Sequence, residues 1–311
     1  MSKNTKKDRS PGRAGRQNAR RGPTSRSGSG RAAGAKKSKG SSSKPAAAGV
    51  DVPDILKGRK QLTADETFTF GCHAGLPCFT RCCADINILL TPLDALRLSR
   101  RLGIATGEFI ERHTLTPITK SLHLPVLMMK MGDDPGKRCP FVGEDGCSVY
   151  EARPWSCRMY PVGMALPPAR AGVDPKPVYF LFEDDFCEGR ATGQEWTIES
   201  WRESQGVRER EELESGFQGI VSHPWFIGGR LLDPKRMEMF HMACYDLDTF
   251  RRFVFSSSFL ERFDVEADLI ARLRTDDEAL LSFAFRWLRF ALFGEPSLSV
   301  KSGPIKCGRN P

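Results

Sequence analysis

The feature that most constrains this chain is a group of four cysteines within twelve residues, Cys72, Cys78, Cys82 and Cys83, spaced C-x5-C-x3-C-C. A free cysteine often packs as a small buried residue, but two adjacent cysteines flanked by two more have no packing explanation. Thiolates are soft ligands that suit Zn²⁺ and iron–sulfur clusters, and close spacing lets several converge without a long scaffold. The segment is therefore predicted to wrap around a metal.

Two further blocks extend this group. Cys139, Cys147 and Cys157 follow the pattern C-x7-C-x9-C, and Cys187 lies thirty residues further along. Eight candidate ligands exceed the four of one tetrahedral site. Two sites, one polynuclear cluster, or one site with supporting thiols all fit the spacing, and Cys-rich ligation serves zinc, iron and iron–sulfur clusters alike.

Other residues near the thiols are weaker candidates. Arg153 and Arg158 are predicted either to offset thiolate charge or to form ordinary ion pairs. His73 is expected to be a solvated loop residue rather than a replacement ligand. Cys244, in a helical apolar stripe, and Cys307, in a polar terminal segment, are predicted to lie outside the metal centre.

Charge is concentrated at one end of the chain. The net charge is +9, yet residues 1–50 hold 14 Lys or Arg against one acid, so residues 51–311 carry −4. A segment so poor in apolar residues cannot offset the entropy of ordering, and residues 1–55 are predicted to be a disordered basic tail. That tail is either a solubilising arm or an anchor for nucleic acid or another polyanion.

Hydropathy predicts a soluble, cytoplasmic protein without a membrane partner. The most apolar stretch, LLSFAFRWLRFALFG, is interrupted by Arg286 and Arg289, and the basic N-terminal segment lacks the apolar stretch of a secretory signal. A reducing cytosol keeps thiols free, which favours metal ligation over disulfides for these ten cysteines.

Local patterns indicate a strand followed by a helix directly after the first cysteines. Residues 86–90 alternate like a short strand. Thr91 is the expected helix N-cap, with Pro92 at the first helical position and Asp94 in the first turn. Gly103 stands where a left-handed C-terminal stop is expected.

The predicted fold class is α+β, with a small irregular cysteine-rich domain followed by a mainly helical region. The domain boundaries are a tail at 1–55, a metal-binding domain at 64–195, a helical region at 196–296 and a flexible C-terminal tail at 297–311. Helices are expected from Thr197 onward and, by their apolar stripes, around 234–244, 247–255, 265–273 and 277–293.

Two stretches carry a family resemblance. The CC pair followed by INILLTPLDALRL, and the stretch CPFVGEDGCSVYEARPWSCRMYP, resemble YkgJ-type cysteine-cluster proteins, described as zinc- or iron-chelating, over about residues 68–200. Many members show C-x2-C-x2-C-C, so the first group of this chain is wider. The resemblance implies metal chelation by Cys72, Cys78, Cys82, Cys83, Cys139, Cys147, Cys157 and Cys187.

The resemblance also implies a link to flagellin lysine N-methylases, which carry a similar domain thought to hold an iron–sulfur cluster. The leading hypothesis is a metal-binding protein whose activity the sequence does not define. One alternative is an iron–sulfur-dependent redox or protein lysine methyl-transfer enzyme. Another is a nucleic-acid-associated protein with a structural metal. The sequence contains no phosphate-binding loop, nucleophile elbow or dinucleotide fingerprint, and it identifies no catalytic residue.

Overall fold

The computed structural model describes residues 56, 58–63, 65–117, 124–165, 176–226 and 229–301. The predicted tail at 1–55 and Cys307 therefore lie outside the described residues. The α-helices are α1 (Pro92–Leu102), α2 (Thr106–His113), α3 (Trp155–Met159), α4 (Ile198–Ser204), α5 (Val207–Leu213), α6 (Ser215–Val221), α7 (Pro234–Cys244), α8 (Leu247–Ser256), α9 (Phe259–Arg262), α10 (Ala267–Thr275) and α11 (Asp277–Phe293).

Short antiparallel strands and a few 3-10 helices accompany these α-helices. They are β1 (Gln61–Leu62), β2 (Thr67–Phe70), β3 (Leu89–Leu90), β4 (Thr114–Leu115), β5 (Leu127–Met129), β6 (Val142–Gly143), β7 (Gly146–Cys147), β8 (Val162–Ala165), β9 (Val178–Leu181), β10 (Gln194–Thr197), β11 (Phe263–Asp264) and β12 (Ser299–Val300). The sheets have the orders β1-β9-β8, β3-β5-β4, β10-β2, β6-β7 and β11-β12. This mixture confirms the predicted α+β class.

The start of α1 follows the predicted signature. The Thr91 side chain accepts a hydrogen bond from the Asp94 N–H, and the Asp94 carboxylate accepts one from the Thr91 N–H, which completes a capping box. Pro92 is the first helical residue, and Gly103 has a φ of 68° after the last turn. These features fix where the helix begins and ends.

The strand before α1 is shorter than predicted. β3 covers only Leu89–Leu90, whereas the alternating pattern predicted a strand from residue 86. The physical reason lies just upstream, where Asp85 has a φ of 50° and its N–H donates to the Lys137 carbonyl. That pairing draws the chain toward residues 137–139 and away from the β3-β5-β4 sheet.

Two apolar cores lie beneath these elements. The first core joins α1, α2 and β5 to the helices α7, α8 and α11, and it includes Phe109, Phe250 and Trp287. The second core is smaller and lies between β2, β8, β9 and α4, where the rings of Phe70 and Trp201 meet edge to face with centroids 5.5 Å apart. Each core contacts a different part of the cysteine-rich region.

The helical region follows the predicted segments closely. α7, α8, α10 and α11 fall on the four apolar stripes, and Thr197 caps α4 with its side chain. The pair β11-β12 places Ser299 and Val300, the start of the segment predicted as a flexible tail, in a two-stranded ladder. Within the described ranges, no helix has the length and apolarity needed to cross a membrane.

Candidate metal centre

The first cysteine block is a succession of tight turns. Backbone N–H groups at positions 76, 79, 81 and 83 each donate to the carbonyl three residues earlier, at 2.9–3.1 Å. The last turn is a 3-10 helix, Arg81–Cys83, preceded by Thr80 with a φ of 64°. As a result Cys78 is buried, whereas Cys72 at the start of the block is exposed. Such turns place several thiols in a small volume without a long helix or strand.

The segment around Cys187 lies against this first block. The Glu188 N–H donates to the Cys78 sulfur at 3.3 Å, and the Gly71 N–H donates to the Gly189 carbonyl at 2.9 Å. β2 and β10 pair antiparallel, with Phe70 opposite Gln194, so the two chain segments run side by side into this contact. Two blocks more than one hundred residues apart in sequence therefore meet.

Three glycines allow this close approach. A Cβ atom on Gly189 would lie 2.6 Å from the Gly71 oxygen, and one on Gly71 would lie 2.8 Å from the Gly193 Cα. Gly193 also has a φ of 97°, a conformation that side chains rarely adopt. Any larger residue here would move Cys72 and Cys187 apart.

The second cysteine block joins the first through Cys83. The Cys139 N–H donates to the Cys83 carbonyl at 2.7 Å, and Ala84 forms an antiparallel bridge with Arg138. The β6-β7 hairpin then returns the chain so that Cys147 pairs with Val142, whose N–H donates to the Cys139 carbonyl at 3.1 Å. Cys83, Cys139 and Cys147 thus lie on neighbouring backbone segments.

Cys157 lies on α3, and the first residue of this helix is bound by a buried carboxylate. The Trp155 N–H donates to the Asp94 carboxylate at 2.9 Å, and the same carboxylate forms an ion pair with Arg210 of α5. The side chains of Asp94 and Arg210 are 0% and 1% exposed. One buried carboxylate therefore joins α1, α3 and α5, and it positions the helix that carries Cys157.

The environment of the thiols favours their protonated form when no cation is present. Burial raises the pKa of Cys157, and negative charge at Asp94, Cys139, Cys147 and Cys82 raises it further. Burial also raises the pKa of Cys72, and the next contributions come from Cys82, Cys78 and Cys187. A hydrogen bond with Cys83 is the largest cause of the raised pKa of Cys82. A metal cation would remove this mutual repulsion.

The donor set fits a soft metal by its chemistry. Eight thiols in three blocks lie on segments that contact one another, and thiolates are the usual ligands of zinc and of iron–sulfur clusters. Among the described residues, no three Cys, His, Asp or Glu side chains are arranged as a group that could hold a metal ion. A cysteine sulfur moves by about 3 Å when χ1 changes from one staggered rotamer to another. Side-chain rotation alone therefore changes which thiols lie next to one another.

The weaker candidates from the sequence have hydrogen-bond partners of their own, although the charge of Arg153 also opposes the rise that burial causes in the pKa of Cys72, as predicted for an arginine near a thiolate. Nδ1 of His73 accepts a hydrogen bond from the Gly75 N–H at 3.2 Å. Arg158 donates to the carbonyls of Glu151 and Gln205 at 2.5 and 2.7 Å, and Arg153 donates to the Gln205 side chain. The two arginines thus attach the second block to the turn between α4 and α5.

Two residues near the thiols were not identified from the sequence, Tyr160 and Arg210. The Tyr160 hydroxyl donates to Asp184 at 3.1 Å, and its pKa is raised by burial and then by a hydrogen bond with Cys187. Arg210, the buried partner of Asp94, has no local sequence signal because its partner is 116 residues away. For Tyr160 the sequence did offer a signal, since this tyrosine is only three residues from Cys157.

Comparison with known proteins agrees with the thiol arrangement. Residues 71–188 match the family model CxxCxxCC, described as "Putative zinc- or iron-chelating domain". The match begins and ends at the contact between Gly71 and the turn after Cys187, and it confirms the resemblance for that part of the chain. No curated protein and no solved structure gave a significant match.

Proposed function

We propose that this protein binds zinc or iron through the thiols of its three cysteine blocks. The proposed ligands are Cys72, Cys78, Cys82, Cys83, Cys139, Cys147, Cys157 and Cys187. The observation that carries the proposal is the meeting of the blocks, by the Glu188 N–H to the Cys78 sulfur and by the Cys139 N–H to the Cys83 carbonyl. The match of residues 71–188 to a zinc- or iron-chelating family model supports it.

The surrounding residues have roles that follow from their contacts. A peptide N–H that donates to sulfur stabilises the thiolate form and fixes its orientation, as Glu188 does for Cys78. The Tyr160 hydroxyl, which donates to Asp184, lies close to Cys187, and burial and then these two groups raise its pKa. Asp94 holds the first turn of α3 and thereby the position of Cys157. When bound, the metal would supply charge neutralisation for these thiolates.

The test is elemental analysis of the full chain purified without oxygen. We expect zinc or iron to copurify with the wild-type protein and to be lost from the C82A/C83A variant. The matched control is C244A, because Cys244 is fully buried in the first core and has no proposed metal contact. Circular dichroism of all three proteins verifies that the helices are retained.

Two outcomes contradict the proposal. One is a wild-type protein that carries neither metal, and the other is equal metal content in C82A/C83A and C244A. An ultraviolet–visible spectrum of the same sample separates the two chemistries, because an iron–sulfur cluster absorbs in the visible range and bleaches on reduction, whereas zinc is colourless and redox-silent.

A further inference from the structure

We propose that the eight thiols form two adjoining four-cysteine metal sites rather than one. The first site consists of Cys72, Cys78, Cys82 and Cys187, and the second site consists of Cys83, Cys139, Cys147 and Cys157. This inference rests on the proposed metal binding and specifies its number of centres. Four thiolates complete the tetrahedral shell of one zinc ion, and four also ligate one iron–sulfur cluster.

The first site is formed where the beginning of the matched segment, near residue 71, meets its end, near residue 188. The Cys78 sulfur accepts the Glu188 N–H, which places Cys187 next to Cys78. The guanidinium of Arg81, adjacent to Cys82, lies 5.3 Å from the ring centroid of Phe186, adjacent to Cys187. The contact between Gly71 and Gly189 holds Cys72 at the same place.

The second site is built by a different set of elements. Cys139 and Cys147 are joined by the β6-β7 hairpin, and the Cys139 N–H binds the carbonyl of Cys83. Cys157 reaches the same neighbourhood on α3, which Asp94 holds at its N-terminus.

Four of the eight thiols pack against the apolar cores, and these four divide between the two cores in the same way. Cys139, Cys147 and Cys157 pack against the first core, which contains the long helices. Cys187 packs against the second core, which contains Phe70 and Trp201. Three ligands of the second site and one ligand of the first site are therefore supported by different cores.

Cys82 and Cys83 lie at the junction between the two proposed sites. Cys82 and Cys83 belong to a 3-10 helix, in which successive side chains project about 120° apart. The chain then leaves in an extended conformation at Ala84 to pair with Arg138. The backbone of Cys83 and Ala84 binds the second block, and we assign the adjacent Cys82 to the first site.

The experiment compares metal content per chain in full-length variants purified without oxygen. C72A/C187A removes two ligands of the first site, and C139A/C147A removes two ligands of the second. We expect each variant to retain about half of the wild-type metal, and the quadruple variant to retain none. Differential alkylation followed by mass spectrometry should show Cys139, Cys147 and Cys157 still protected in C72A/C187A.

The possible outcomes distinguish the two-site inference from the proposal that the protein binds a metal at all. If the wild-type protein contains no metal, the proposed function itself is contradicted. Wild-type protein with metal, combined with complete loss in both double variants, indicates one shared cluster and overturns the two-site inference alone. C72A by itself is the second variant if C72A/C187A does not fold, because Cys72 is exposed and its side chain contributes least to packing. Alkylation of Cys139 and Cys147 in C72A would likewise overturn the inference.

Discussion

The helical region and the cysteine region of this protein are stabilised by different means. α11 alone buries eight side chains, and its Trp287 contacts the rings of Phe250 and Phe253 at 5.4 and 5.2 Å between centroids. The segment from Cys72 to Cys83 has one buried residue, Cys78, and no regular element beyond a single 3-10 turn. The helices are held by apolar burial, whereas the segment from Cys72 to Cys83 is held by backbone hydrogen bonds and by the glycine contact that precedes it.

This difference indicates which region needs a ligand. Burial of apolar side chains stabilises a helix bundle without any cofactor. Loops with little apolar burial offset their conformational entropy poorly, and a structural metal can supply that free energy. The two regions should therefore respond differently when the metal, a buried charge or a glycine is removed.

The largest effect is expected from metal removal. Treatment with a chelator should increase amide hydrogen exchange across residues 71–90, 137–159 and 182–193, because the thiol segments lose their cross-link. α11 should keep its protection, since its burial does not depend on a ligand. Hydrogen-exchange mass spectrometry measures both at once. Equal deprotection of α11 and the thiol segments would remove the distinction between the two regions.

The next largest effect is expected when the buried ion pair between Asp94 of α1 and Arg210 of α5 is broken. Arg210→Met leaves the Asp94 carboxylate buried without its partner, and we expect a loss of about 4 kcal/mol in the free energy of unfolding. The matched control is Arg208→Met on the same helix, whose pair with Glu199 is exposed and should contribute less than about 1 kcal/mol. Urea denaturation compares the two. A similar cost for both variants would show that the buried pair stabilises the protein no more than the exposed one.

A third prediction concerns the glycine contact at the first site. Gly189→Ala should separate the Cys187 turn from Gly71, lowering the free energy of unfolding by about 2 kcal/mol and reducing the metal content. Gly143→Ala is the control, because a Cβ there meets nothing closer than 3.9 Å. Thermal unfolding and elemental analysis provide the two measurements. Normal metal content in Gly189→Ala would show that the close approach is not needed.

A fourth prediction concerns a pH dependence of stability near α1. Burial raises the pKa of Glu214 to about 7, and the negative charge of Asp94 adds to the shift. The folded protein therefore holds this proton more tightly than the unfolded chain, so the contribution is complete below pH 4.5 and is lost as the pH rises toward 7. Its upper limit is about 3 kcal/mol.

Glu214→Gln removes this titrating group, and with it the negative charge that faces Asp94. The amide oxygen can still accept the Leu93 N–H, which the carboxylate now binds at 3.0 Å, but it does not ionise. The stability of the wild type relative to the variant should fall between pH 4.5 and 7. His113 and His241, whose pKa is lowered by burial, act in the opposite direction in both proteins and cancel in the difference. A constant difference would contradict the raised pKa.

Local sequence signals predicted much of the helical framework. Thr91, Pro92, Asp94 and Gly103 define α1 because capping depends on neighbouring residues. The ion pair of Asp94 with Arg210 could not be predicted in this way, since it joins residues 116 positions apart. The same holds for the pairing of β2 with β10 and for the packing of Cys187 against a different core from Cys139, Cys147 and Cys157. The spacing of the cysteines indicated a metal centre but could not show which blocks are neighbours.

The most direct test of metal binding by these cysteines is X-ray absorption spectroscopy of the full-length protein at the zinc and iron edges. Coordination by thiolates predicts a first shell dominated by sulfur, at about 2.3 Å for zinc. A first shell of nitrogen or oxygen at about 2.0–2.1 Å, with no sulfur component, would contradict it.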